Sequence, residues 1–208
     1  MGVIKTALEI ALEKTEKVTG DKSSIDQFEA RRRGKKLANS FLAGEENITA
    51  SMLAEEIKKT PADGRESLQA SLKQGIFDVL ITQISLPARK EDESKIEKLG
   101  KGFAVIIKTG EFSAMYKQLT SLFSQYLQEA AQYEQMIRQQ YAPKLRKKEE
   151  ELSRRMGREV RIDPFQDPEF LNFYNQHMNT LRKNYESVVE QAREETRRMF
   201  EQQEAGKK

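Results

Sequence analysis

Apolar side chains recur at helical spacing along almost the whole chain. Val3, Ile4, Ala7, Leu8, Ala11, Leu12 and Val18 outline an amphipathic helix over residues 3–18, broken at Gly20. Ser23 or Ser24 can cap a second helix, which carries Ile25, Phe28, Leu37, Phe41 and Leu42 and ends at Gly44. Its middle, residues 29–36, is basic rather than apolar. A short helix over residues 50–59 turns Met52, Leu53 and Ile57 inward, and Thr60-Pro61-Ala62-Asp63-Gly64 reads as a loop by its turn chemistry.

Residues 65–86 place Leu68, Leu72, Ile76, Leu80 and Ile84 in regular steps. That spacing favours a buried helix over a strand, despite the β-branched density of IFDVLITQISL, and Pro87 stops it. Ile96, Leu99, Phe103, Ile106 and Ile107 read as another helix. Gly100 and Gly102 weaken that reading and keep a hairpin strand over 103–107 as its alternative. These two segments are the most apolar in the chain and form the expected core.

A long helix then starts near Glu111. Phe112, Met115, Leu119, Leu122, Tyr126, Tyr133 and Met136 follow one stripe, and Tyr116, Phe123, Ala130 and Ile137 follow a second beside it. Ala142-Pro143 predicts a kink or a restart, beyond which KLRKKEEELSRRMGRE is too charged for anything but a solvated arm. Residues 157–166 reverse the chain, and Asp167 caps a final helix with Pro168 at its first position. There Leu171, Tyr174, Met178, Leu181, Tyr185, Val188 and Ala192 fill successive seam positions of a heptad pattern; Glu195 interrupts it and Met199 resumes it. The expected fold is therefore all-α. Residues 1–110 would form a helical body, and 111–208 a long antiparallel coiled-coil helical hairpin at the C-terminus.

Composition supports thin helical construction. Of 208 residues, 37% are hydrophobic and 33% charged, too few apolar side chains for a thick core but enough for one stripe per helix. The net charge of +3 balances 36 basic against 33 acidic residues, so no global field draws in nucleic acid or an anionic membrane. With no cysteine, disulfides, thiolate metal sites and a Cys nucleophile are excluded. Glu9 and Glu13 interrupt the opening residues where a secretory signal would be apolar, and no run of ~18 apolar residues exists, so a cytoplasmic location is expected. Met1-Gly2 with Thr6 matches the loose myristoylation pattern, which constrains too few positions to outweigh an ordinary helix start.

Candidate chemistry is sparse. Arg31, Arg32, Arg33, Lys35 and Lys36 make a basic stripe able to track phosphates, but no aromatic side chain interleaves it, and solvated runs of this kind are common. His177 is the sole histidine, and Tyr174 stands where a di-iron bundle would need Glu. No zinc set can be assembled without Cys and with one His. No Gly-x-Ser-x-Gly occurs, and Gly100-Lys101-Gly102 lacks the Gly-Lys-Ser/Thr ending of a phosphate loop. Phe165, Phe170 and Phe173 cluster at the reversal, either packing it or presenting an apolar tip to a partner.

No cofactor, metal or catalytic residue is expected, and the chain does not read as an enzyme. It reads as a scaffold-like or chaperone-like interaction protein with unknown protein partners, self-associating through the arm, a dimer being favoured. Binding of nucleic acid or an anionic membrane through residues 31–36 is the alternative.

Overall fold

Local capping chemistry sets several of the helix boundaries. The computed structural model describes residues 22–45, 48–61 and 68–206. The helix expected over 3–18 and the Met1-Gly2-Thr6 pattern lie outside them. Among the described residues six α-helices follow in order: α1 (Lys22–Ala43), α2 (Ala50–Lys59), α3 (Leu68–Thr82), α4 (Glu93–Ile106), α5 (Gly110–Met156) and α6 (Pro168–Ala205). Single 3₁₀ turns occupy Lys90–Asp92 and Pro164–Gln166. Among the described residues there is no strand, so 103–107 is helical up to Ile106.

Thr49 caps α2 by accepting from the Met52 amide at 3.3 Å, and Thr109 caps α5 by accepting from the Phe112 amide at 3.2 Å. Asp167 Oδ1 accepts from the Glu169 amide at 2.9 Å and starts α6 at Pro168, as the sequence predicts. Gly157 ends α5 in the left-handed conformation, φ 67°, which glycine adopts without steric cost.

Three expectations are corrected. Of the kink or restart expected at Pro143 there is no restart: α5 runs on through it to Met156, with the ring on an exposed position that gives up one backbone hydrogen bond. Met52 faces solvent, because only Leu53 and Ile57 of α2 lie on its buried side. The helix expected over 65–86 ends at Thr82, and Ile84 is buried from an irregular segment.

The chain forms two compact units that interleave along the sequence. The first comprises residues up to Gln83, Lys98–Lys108 and Phe200 onward; the second comprises Ile84–Glu97 and Thr109–Met199. Helices α4 and α6 each supply residues to both units, so neither unit follows a single cut near residue 110.

In the first unit, Phe41, Leu53, Leu72, Ile76, Leu80 and Phe103 are buried, with Phe77 stacked on Phe200 at 4.3 Å. Helices α1 and α3 approach so closely that backbone meets backbone. A Cβ at Gly34 would stand 2.1 Å from the Leu72 carbonyl oxygen, and one at Gly75 would stand 2.0 Å from that of Arg31. Only hydrogen fits at either position. In the second unit the buried set includes Ile96, Phe112, Tyr116, Leu119, Phe123, Tyr126 and Tyr185, and the Tyr116 hydroxyl donates to the Ile96 carbonyl at 2.7 Å.

Candidate interaction surface

The second unit brings the aromatic side chains of α5 and α6 together. Tyr126 meets Tyr185 with ring centroids 5.0 Å apart, Tyr133 meets His177 at 6.2 Å, and Tyr141 meets Phe170 at 5.3 Å. Residue numbers rise along α5 as they fall along α6. His177, half-buried, also meets the Phe173 ring edge-on with centroids 4.4 Å apart.

Along the first turns of α6 the residues of the heptad pattern are half-buried to buried, and from Val188 on the buried positions shift by one. Leu171, Tyr174, Met178 and Leu181 are half-buried, and Tyr185 and Ala192 are buried. Val188 is 37% exposed, whereas Val189 is 3% exposed and takes the seam position. From there the buried set continues through Ala192 to Thr196, whose hydroxyl donates to the Ala192 carbonyl at 2.6 Å. Met178 to Val189, Leu181 to Ala192 and Tyr185 to Thr196 share an 11-residue spacing, which tracks ~3.67 residues per turn rather than the 3.5 of a strict heptad. An undistorted α-helix lies closer to the former, so the heptad drifts off the buried face.

At the reversal, Phe170 is fully buried with Ile137 and Tyr141, and Tyr133, Leu145, Phe173, Tyr174 and Met178 pack around them. Phe165 lies at the margin, edge-on to Phe170 and Tyr174 at 5.4 Å, with the Arg138 guanidinium 4.7 Å from its ring centre. Of the three candidate aromatics, Phe170 and Phe173 are packing residues, and Phe165 alone stays exposed.

A polar cluster closes the same end. The Lys148 ammonium donates to both Asp167 carboxylate oxygens, at 2.7 and 3.0 Å, and lies 3.1 Å from Glu169. The Tyr141 hydroxyl donates weakly to Asp167 and Glu169, at 3.4 and 3.3 Å. The hydrogen bonds from Lys148 hold the buried Asp167 carboxyl below the usual carboxylate range, against its desolvation. The same bonds raise Lys148, and burial raises Tyr141. One carboxylate therefore caps α6 and anchors α5 through Lys148. Asp167 was legible as a cap; its Lys148 partner, 19 residues away, carried no local signal.

The basic stripe is largely committed to neighbours. Arg31 and Lys35 both reach Asp78, at 2.8 and 3.3 Å, and Arg33 pairs with Glu56. Burial raises the Asp78 carboxyl, but bonds from Gln74, Arg31 and Lys35 reverse that and leave it lowered. Arg32 and Lys36 are exposed, and neither forms an ion pair among the described residues.

Surface clefts are open and charged. One, of about 770 Å³, lies along Arg146, Glu149, Ser153, Arg154 and Arg161 at the reversal. Among the described residues, no group of three or more His, Asp or Glu side chains is placed to hold a metal ion.

Residues 54–198 match a family of unknown function, DUF6657. The chain belongs to that family. The DUF6657 match takes in most of α2, the whole of α3, α4 and α5, and α6 as far as Arg198, so every seam and reversal residue above falls inside it. No curated protein and no solved structure matches the chain. No helix of the described residues is long and apolar enough to cross a membrane.

Proposed function

We propose that this DUF6657 protein is a structural, scaffold-like or chaperone-like interaction protein that acts through an antiparallel coiled-coil hairpin of α5 and α6. The observation that carries this reading is the opposite order of the ring contacts from Tyr126–Tyr185 to Tyr141–Phe170. They run along residues 126–141 of α5 and 170–185 of α6, about 22 Å at 1.5 Å per residue, and support a paired surface there. Tyr141, Phe170, Lys148 and Asp167 at the reversal are engaged with one another, which suits a packed end more than a reaction site. Met136, Met156 and Val188 remain exposed in the same unit and offer apolar contact points to a protein partner, with the cytoplasm as the proposed setting.

The test uses the full chain and a triple variant, M136S/M156S/V188S, as baits in the cell that makes the protein. The expected result is a captured protein set that the variant loses while its helicity is unchanged. Identical capture by both, or capture by neither, overturns the reading. Anion binding through residues 31–36 has less support, because Arg31, Arg33 and Lys35 already face Asp78 and Glu56. Salt-sensitive binding of duplex DNA or of phosphatidylserine vesicles, lost on neutralising Arg32 and Lys36, would restore it.

A further inference from the structure

One cleft of the first unit is lined by charges of a single sign. Lys58 of α2, Lys73 of α3 and Lys108, two residues past α4, border the same hollow of about 280 Å³. No acidic side chain lines it among the described residues. Other clefts mix their charges: Glu149, Glu150 and Glu159 stand among the arginines at the reversal, Glu151 and Asp167 beside Lys148, and Asp26 and Glu29 beside Arg33. Lys73 is buried, and its ammonium lies 3.3 Å from Glu204, the partner that a buried charge requires. Lys58 and Lys108 are exposed, and neither forms an ion pair among the described residues. A hollow walled by one sign of charge concentrates counter-ions from solution.

Two glutamines fasten the walls. Gln203, near the end of α6, grips the backbone past α4 with both ends of its amide: Nε2 donates to the Ile106 carbonyl at 2.6 Å, and Oε1 accepts from the Lys108 amide at 2.7 Å. Gln69 Nε2 donates to the Ile57 carbonyl at 2.8 Å and ties α3 to α2 beside Lys58. The backbone that carries the two exposed lysines is thus held in place before any ligand arrives, which reduces the ordering cost of binding. Ile57 and Ile106, both buried, and Val105, half-buried, add apolar surface to the same lining. The volume lies at the small end of ligand sites, too little for a nucleotide but enough for a compact molecule. Apolar walls and two unanswered ammonium groups together fit an anion with a hydrocarbon body. We infer that this cleft binds a small organic carboxylate, its body against Ile57, Val105 and Ile106 and its charge between Lys58 and Lys108. The site belongs to the first unit and stands apart from the hairpin reading, which concerns ring contacts in the second.

Titration of the full chain with hexanoate, followed by heteronuclear NMR, tests the site. Saturable binding is expected with a Kd on the order of 1 mM, ordinary for so few non-hydrogen atoms. The largest amide shifts should fall on residues 57–58 and 105–108. 1-Hexanol has the body without the charge, and inorganic phosphate the charge without the body, so each should bind at least about tenfold more weakly. The double variant K58Q/K108Q changes only exposed side chains and leaves the Lys73–Glu204 pair intact. It should keep its Tm and lose about tenfold in hexanoate affinity. The control K147Q/K183Q removes the same charge from exposed positions of the second unit and should bind as the unmutated chain does. Undiminished binding by K58Q/K108Q, or an equal loss in the control, overturns the inference. So do hexanol or phosphate bound as tightly as hexanoate, shifts centred elsewhere in the chain, or no saturation by about 20 mM. The comparison of the three probes uses the unmutated chain, so it decides the matter even if the double variant fails to fold. None of these results bears on the hairpin, which the bait experiment judges separately.

Discussion

Replacing Gly34 or Gly75 with alanine adds one methyl group to a crossing built without room for it. The new carbon would stand 2.1 Å from the Leu72 carbonyl oxygen, or 2.0 Å from that of Arg31. An ordinary carbon–oxygen contact is about 3.3 Å or more, so α1 and α3 must separate by roughly 1 Å. Both obstacles are backbone atoms within helices, so no rotamer change relieves the clash. Parting the helices loosens Phe41, Leu72 and Ile76, all packed in this unit. Overpacking a close-packed site costs typically 1–3 kcal/mol, and more where backbone must move; alanine returns about 1 kcal/mol in helix propensity. The net expectation is a loss of about 2 kcal/mol for either variant, equivalent to about 4–8 °C in Tm for a chain of this size. Thermal denaturation followed by far-ultraviolet circular dichroism measures it. Gly110→Ala is the control, since nothing lies within 4 Å of a Cβ there. If either crossing glycine can be replaced with an unchanged or higher Tm, the close approach of α1 and α3 is refuted.

The slip in the α6 seam predicts opposite outcomes at neighbouring valines. Val189→Ala should cost about 1.5 kcal/mol by urea denaturation and Val188→Ala less than about 0.5; equal costs would restore the heptad register. Burial, seconded by its hydrogen bond to Glu129, pushes the Tyr185 hydroxyl up to about 12. Its contribution to stability is therefore complete below about pH 10, the unfolded value, and is lost as pH rises towards the folded one. Tyr185→Phe should flatten that alkaline decline in denaturant midpoints, and an unchanged slope counts against the bond. Asp167 is displaced the other way: its contribution is present above about pH 4 and fades as pH falls through its lowered folded value. Asp167→Asn should remove that part of the acid limb, whereas Asp167→Ala should also lose a helix cap worth about 1 kcal/mol; an acid limb identical in all three proteins would dismiss the Lys148–Asp167 anchor.

Much of this fold is written in short stretches of chain. Asp167-Pro168 marks a helix start because a cap needs only its own turn of backbone, and that boundary is read directly; Thr49, Thr109 and Gly157 end their helices by the same local means in the structure. The all-helical class follows from the spacing of apolar residues, and the absence of cysteine already rules out thiol chemistry. Pro143 allows a kink or a restart by sequence, and the restart fails because its exposed position lets one lost hydrogen bond be tolerated inside a helix held elsewhere by Ile137 and Tyr141. Which of Val188 and Val189 is buried depends on how an undistorted helix drifts against its neighbour, and both valines satisfy a periodic pattern almost equally well. Gly34 and Gly75 look like helix-weakening residues until α1 and α3 touch, and Lys148 finds Asp167 only after the chain has doubled back. Capping and periodicity are local energies that a sequence states outright. Close approach, burial of one neighbour over another and the pairing of distant charges belong to the packed chain, where a residue's surroundings come from segments far from it in sequence.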